Sequence, residues 1–217
     1  VKNGVSERLE EFVRTGGTAV FSYLSGYVDE NDRITLGGYP GKLRELCGIW
    51  VEETDSLPET EQNSFCYEGK LYPAGLLCDI MHTEGAEVLA CYREDFYAGT
   101  PVITRNQYGD GLAYYVGTRS GEDFYLRFFA DRCKEKGLRT ASHDTVETAA
   151  ALSEKGIEIT VREKDGVEYL FLLNHSGKRQ ELAVSAGGTD LLSGREIPGG
   201  EVFAIDAAGV MLVKAAE

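Results

Sequence analysis

The pattern of apolar residues changes once along this chain, and the change limits the folds that it can adopt. As far as Gly137, helical spacings alternate with strand-like runs. From Ile157 to Val213 only short strand-like runs occur, and glycine-containing turns separate them at regular intervals. We therefore predict two folding units joined by the segment Leu138–Gly156, the second of them a small antiparallel sandwich or barrel.

The start of the chain has the pattern of half an α/β unit. Ser6 is a candidate N-cap, and apolar residues up to Val13 follow at helical spacing. Gly16-Gly17 would end this helix, and Thr18–Leu24 has the pattern of a buried strand. A chain that starts with the helix of such a unit suggests that a strand precedes Val1 and that the sequence is a fragment, as the lack of an initiator Met also indicates.

Two later segments of the first unit have clear local signals. Tyr108–Gly111 lies between two apolar runs and contains two glycines, which predicts a hairpin turn. Gly121–Gly137 has one apolar face at helical spacing and is expected to form a helix.

A long loop is predicted between the first strand and the next short helix. Ser25–Gly41 is polar and rich in glycine, and it has about 17 residues. Loops of this length are uncommon unless they bind or pack against something. We therefore expect this loop to pack against a neighbouring subunit or against another part of a larger protein.

The charge of the chain argues against polyanionic partners. Its 217 residues include 22 basic and 36 acidic ones, for a net charge of −14, and both halves are acidic. Phosphate backbones and anionic membranes require clustered lysine and arginine, so we expect no nucleic-acid or membrane partner. No apolar stretch approaches the roughly 20 residues of a membrane helix, and Val1–Gly4 does not have the pattern of a signal segment.

The cysteines favour a reducing compartment. The chain has an odd number, five, and no pair forms a C-x-x-C motif. Buried free thiols are the simplest interpretation, and this favours a cytoplasmic location. The three histidines lie far apart and no local ligand pair exists, so we expect neither a metal site nor a cofactor.

No catalytic constellation emerges from the residues. The acidic run from Glu52 to Glu61 is typical of a solvated loop face and does not supply two carboxylates facing each other across a pocket. His82-Thr83-Glu84 has the His-x-Glu spacing of class I glutamine amidotransferases, but none of the cysteines lies on a nucleophile elbow. We therefore assign no catalytic, cofactor-binding or metal-binding residue.

Other motifs are better explained by structure than by chemistry. Gly37–Lys42 lacks the lysine and hydroxyl pattern of a phosphate loop and indicates a tight turn. Asn174-His175-Ser176 fits a glycosylation sequon but is more typical of a turn at a strand end. Trp50 lies between two apolar residues and has a core position as its main interpretation, with a sugar platform as the alternative.

Several strings together resemble one enzyme family. They are VRTGGT (13–18), LSGYVDEND (24–32), GGYPGKLRELCGIWVEETDSL (37–57), DFYAGTP (95–101) and GDGLAYYVGT (109–118). In this order they resemble the C-terminal part of bacterial β-galactosidases of glycoside hydrolase family 42. The resemblance covers Val1 to about Gly137, and a weaker one, mainly through Tyr169–Ser176, extends to the end of the chain.

The resemblance implies a fold and a role. It implies an N-terminally truncated α/β domain, flavodoxin-like or class I amidotransferase-like, at residues 1–140, followed by a small antiparallel β domain at 157–217. The parent enzyme would be a homotrimer that removes terminal β-D-galactose through two glutamates on a barrel outside this chain. Two roles stay open at this point, a structural oligomerisation segment and a carbohydrate-binding module on the β domain.

Overall fold

The computed structural model describes residues 1–216 and divides the chain into two compact units, the first Val1–Phe124 and the second starting at Tyr125. The first unit contains two short helices, a single 3-10 turn and eight strands. These are α1 (Val5–Arg14), β1 (Thr18–Ser22), the 3-10 turn (Gly41–Leu43), α2 (Arg44–Cys47), β2 (Ile49–Ser56), β3 (Asn63–Tyr67), β4 (Lys70–Thr83), β5 (Glu87–Cys91), β6 (Pro101–Tyr108), β7 (Gly111–Val116) and β8 (Thr118–Arg119). A third helix, α3 (Glu122–Glu135), follows them.

Helix α1 forms where the apolar spacing predicts it, but its start differs. Gly4, in a left-handed conformation, is the N-cap, and Ser6 lies inside the helix with its hydroxyl bonded to Glu7. The prediction of Ser6 as the cap is therefore wrong. The helix buries Val13 completely, and the chain leaves it at Gly16, whose φ of 103° suits glycine.

The strands of the first unit form two sheets. One has the order β1-β7-β6-β5, in which only the pair β1–β7 is parallel. The other is antiparallel, with β4 at its centre: the first part of β4 pairs with β3, the second part pairs with β2, and β8 adds a short edge. The single strand β4 thus pairs with different partners along its length.

The prediction of a flavodoxin-like or amidotransferase-like α/β domain is wrong. Such folds need a mostly parallel sheet with helices covering both faces. Here a single parallel pair occurs among the described strands, and the predicted hairpin at Tyr108–Gly111 is confirmed and makes β6 and β7 antiparallel. The helix, glycine pair and strand at the start of the chain are real, but hairpins and not crossover helices continue the sheet.

The second unit is the β-rich domain that the sequence predicts. It contains α3 from Tyr125 onward, whereas the sequence predicts this helix as part of the first unit. Its other elements are α4 (Val146–Glu154), β9 (Ile157–Lys164), β10 (Val167–Asn174), β11 (Gln180–Leu182), β12 (Gly188–Asp190), β13 (Glu196–Ile197), β14 (Phe203–Ile205) and β15 (Val210–Ala215). Five strands form an antiparallel sheet in the order β13-β12-β15-β10-β9, and β11 pairs with β14. Leu170, Leu172, Phe203 and Val213 form its core.

The segment Leu138–Gly156 is more structured than a simple linker. Thr145 caps α4 by accepting a hydrogen bond from the backbone N–H of Thr148 at 3.2 Å, and Leu152 of this helix belongs to the core of the second unit. The Asp144 carboxylate accepts a bond from the Ser185 backbone N–H at 3.0 Å. In the described part of the chain, no helix is long and apolar enough to cross a membrane.

Candidate functional site

The predicted loop Ser25–Gly41 is a folded hairpin-like segment. Val28 and Ile34 form an antiparallel bridge, and the Thr35 backbone N–H donates to the Tyr27 carbonyl at 3.0 Å. At the tip, the Asp29 carboxylate accepts bonds from the Asn31 and Arg33 backbone N–H groups at 2.7 and 3.0 Å. These bonds lower the pKa of Asp29. The loop therefore presents a defined shape.

Close backbone packing holds the base of this loop. A Cβ atom on Gly26, which has a φ of 72°, would lie 2.1 Å from the Pro40 carbonyl oxygen, so only glycine fits there. Tyr39 forms an antiparallel bridge with Val51 of β2, and the Val51 N–H donates to the Tyr39 carbonyl at 2.6 Å. The loop is thus attached to the antiparallel sheet at Val51.

The outer side of the loop exposes large apolar side chains. Leu36 is 93% exposed and Ile34 is 59% exposed. A shallow cleft beside them is lined by Val28, Arg33 and Lys42 among others. We call Val28, Arg33, Ile34, Leu36 and Lys42 the loop face. Neighbouring exposed apolar side chains on an ordered loop are typical of an interaction surface.

Tyr39 connects the loop to a buried carboxylate. Asp79 of β4 is fully buried, and its Oδ1 accepts bonds from the Tyr39 hydroxyl at 2.5 Å and the Thr54 hydroxyl at 2.9 Å. Its Oδ2 accepts a bond from the Tyr115 hydroxyl at 2.9 Å. Burial raises the pKa of Asp79, and the three hydroxyl bonds partly offset this effect. Nothing in the sequence indicates this cluster, since its members lie on separate elements.

His82 and Glu84 of the His-x-Glu motif contact different partners at the surface. The His82 imidazole bonds to Glu52 at 2.8 Å and stacks on Trp50, with ring centroids 4.6 Å apart. Glu84 instead pairs with the Arg44 guanidinium, which also lies over the Trp50 ring. Trp50 is therefore half-buried within a polar stack and is not a core residue.

The remaining candidate groups do not converge on a site. Burial raises the pKa of the Cys47 thiol, which opposes formation of a thiolate. In the acidic run, Asp55 accepts a bond from the Tyr97 hydroxyl at 3.0 Å, whereas Glu53, Glu59 and Glu61 are exposed. Within residues 1–216, no three His, Cys, Asp or Glu side chains are grouped as a metal site would require.

In the second unit, the sequon Asn174-His175-Ser176 forms the turn at the end of β10. Asn174 is buried, and its amide donates to the Lys178 and Asp206 carbonyls at 2.8 Å each. Its Oδ1 accepts a bond from the Ser176 backbone N–H at 2.9 Å. The prediction of a turn at a strand end is confirmed.

Two family models match the chain. The one described as "Beta-galactosidase trimerisation domain" matches residues 1–139, and the one described as "Beta-galactosidase C-terminal domain" matches residues 156–215. The chain belongs to the glycoside hydrolase family 42 β-galactosidases. The resemblance seen in the sequence strings is confirmed, and the chain corresponds to the trimerisation and C-terminal domains of this family.

Curated β-galactosidases and solved structures agree with this membership. The chain is 39% identical to β-galactosidase Pbg of Clostridium perfringens over 99% of its own length. It is similar to the β-galactosidase structures from Bacillus circulans sp. alkalophilus, with 41% identity and a TM-score of 0.88, and from Rahnella sp. R3, with 36% identity and a TM-score of 0.84. The chain covers 31% of each of these three proteins.

Proposed function

We propose that this chain is the non-catalytic, assembly-forming part of a homotrimeric β-galactosidase. The whole enzyme would remove terminal β-D-galactose residues from galactosides, with its catalytic groups on a barrel outside this chain. The observation that carries the proposal is the match of residues 1–139 to a trimerisation domain. We place this domain at 1–140 and the C-terminal β domain at 157–217.

The loop face supplies a physical reason for assembly. A closed three-fold assembly joins two different surfaces of adjacent subunits, and each contact must bury apolar area to be stable. Leu36 and Ile34 offer such area on a loop whose shape is fixed by Asp29 and Tyr39. Burial of one large aliphatic side chain contributes about 1.5–3 kcal/mol.

We also propose a cytoplasmic location for the enzyme. All five cysteines are free, and two of them, Cys47 and Cys78, are buried in the first unit. Free buried thiols are typical of proteins that stay in a reducing compartment.

The test is the oligomeric mass of the complete enzyme with a substituted loop face. We expect Ile34→Ser combined with Leu36→Ser to shift the trimer towards monomers at micromolar concentration, as measured by light scattering after size exclusion. Leu71→Ser is the matched control, because Leu71 is 53% exposed on β4, away from the loop in sequence. A double variant that remains as trimeric as the control, with unchanged kinetics, contradicts the proposal.

A further inference from the structure

The Asp79 carboxylate joins three separate parts of the first unit. Its hydroxyl donors come from Thr54 on β2, Tyr115 on β7 and Tyr39 in the loop. Its own backbone N–H donates to the Gly117 carbonyl at 2.7 Å. One carboxylate therefore links both sheets of the unit and the base of the loop.

The side-chain hydrogen-bond donors of this carboxylate are all hydroxyl groups. Asp79 has no exposed surface, and among residues 1–216 no lysine, arginine or histidine forms an ion pair with it. A buried carboxylate is costly unless donors replace its lost water. Loss of any one donor leaves part of the cost of burying the carboxylate uncompensated. The hydrogen bond to Asp79 therefore restrains each hydroxyl.

Tyr39 is the member of this cluster that contacts the rest of the loop, so fixing its side chain also restricts the loop. Its ring contacts Tyr27 edge-on, with centroids 5.3 Å apart. Tyr27 in turn accepts the hydrogen bond from the Thr35 backbone N–H. Thr35 lies between Ile34 and Leu36, the two exposed apolar residues of the loop face.

We infer that Asp79 is a positioning residue which, through the Tyr39 hydroxyl, fixes the conformation of the loop face. The ring of Tyr39 is then held in one orientation against Tyr27, and the backbone of the loop follows it. The consequence for assembly rests on the proposed function of the loop face. The effect on the loop itself does not depend on that function.

If Asp79 only stabilised the fold, loss of either tyrosine hydroxyl would affect the loop equally. Two variants separate this role from the positioning role. Tyr39→Phe and Tyr115→Phe each remove one hydroxyl donor from the same carboxylate and keep the ring, and Tyr39→Phe also removes the bond between the Tyr39 and Thr54 hydroxyls. Both tyrosines are buried. One hydroxyl comes from the loop and the other from β7, so only the first variant releases the loop.

The experiment is hydrogen exchange on the 217-residue chain, followed in peptides that contain the Asp29 and Thr35 amides. Both amides are hydrogen-bonded within the loop. We expect Tyr39→Phe to speed their exchange by about five- to tenfold, the factor that one net hydrogen bond supplies. Tyr115→Phe should leave them within about twofold of the parent chain, while both variants lower the thermal midpoint.

The same variants in the complete enzyme separate the two proposals. Faster loop exchange with a weaker trimer in Tyr39→Phe supports both the positioning role of Asp79 and the loop face as an assembly surface. Faster loop exchange with an unchanged trimer supports the positioning role and argues against the loop face as an assembly surface. Equal loop exchange in Tyr39→Phe and Tyr115→Phe overturns the positioning role, whatever the trimer does.

Discussion

At the scale of single residues, Asp79 shows how burial and hydrogen bonding oppose each other. Removal from water disfavours the charged carboxylate and raises its pKa, while hydrogen bonds from Tyr39, Thr54 and Tyr115 favour the charged form. Burial is the larger of these effects, so the pKa stays above its ordinary value of 3.8. The folded chain consequently binds this proton more tightly than the unfolded chain does.

This balance predicts a pH dependence of stability. The stabilisation from protonating Asp79 is complete below its unfolded pKa, and it is lost as the pH rises through the higher folded pKa. We expect the stability difference between the parent chain and Asp79→Asn to move in favour of the parent as the pH falls from about 7 towards 3.8, the ordinary pKa of this carboxyl. Urea unfolding of both chains at each pH measures this difference. A shift in the opposite direction would contradict a raised pKa.

At the scale of elements, the junction of α1 with the β6–β7 hairpin depends on contact between backbones. A Cβ atom on Gly111, the first residue of β7, would lie 2.1 Å from the Val13 carbonyl oxygen and 2.2 Å from the Gly17 carbonyl oxygen. Backbone atoms cannot move aside as a flexible side chain can. The glycine thus allows the end of α1 to approach the strand closely.

The Gly111→Ala variant tests this junction. Because the new methyl group must displace backbone on both sides, we expect it to lower the free energy of unfolding by about 2 kcal/mol or more. Gly75→Ala is the matched control, since the nearest atom to a Cβ at Gly75 would be Cγ of Gln62, 4.0 Å away. Denaturant unfolding of the two variants measures the difference. Similar stabilities would show that the junction tolerates a side chain.

The segment before α4 offers a second test at this scale. Within residues 140–144, Ser142 is buried and the Asp144 carboxylate is bonded to the backbone and hydroxyl of Ser185. We expect Asp144→Ala to speed cleavage within this segment, because those bonds hold it against Ser185. Glu154→Ala, at the exposed end of α4, is the control, and equal cleavage of both variants would contradict this assignment.

At the scale of the whole molecule, the described residues supply a scaffold and not a catalytic pair. In the acidic run, Glu53, Glu59 and Glu61 are exposed and Asp55 is bonded to the Tyr97 hydroxyl. The buried Asp79 is enclosed by hydroxyl groups. Retaining glycosidases need two carboxyl groups about 5–5.5 Å apart that face a sugar. The chain covers 31% of the length of β-galactosidase Pbg of Clostridium perfringens.

We therefore expect the 217-residue chain alone to hydrolyse no galactoside. Turnover of a chromogenic β-galactoside is the measurement, with the complete enzyme as the positive control. Hydrolysis by the purified chain, free of complete enzyme, would require a catalytic pair within it and would contradict the proposed role.

The sequence by itself determined the features that depend on local chemistry. Glycine pairs predicted the end of α1 and the hairpin before β7, and the change of periodicity predicted the antiparallel second unit. Long strings sufficed for the family because each one specifies many neighbouring residues at once. Only the tertiary structure decided the sheet order, which refuted the flavodoxin-like fold, since strand direction is set by partners distant in sequence. It also decided the Asp79 cluster, because Tyr39, Thr54 and Tyr115 reach that carboxylate from separate elements that meet only on folding.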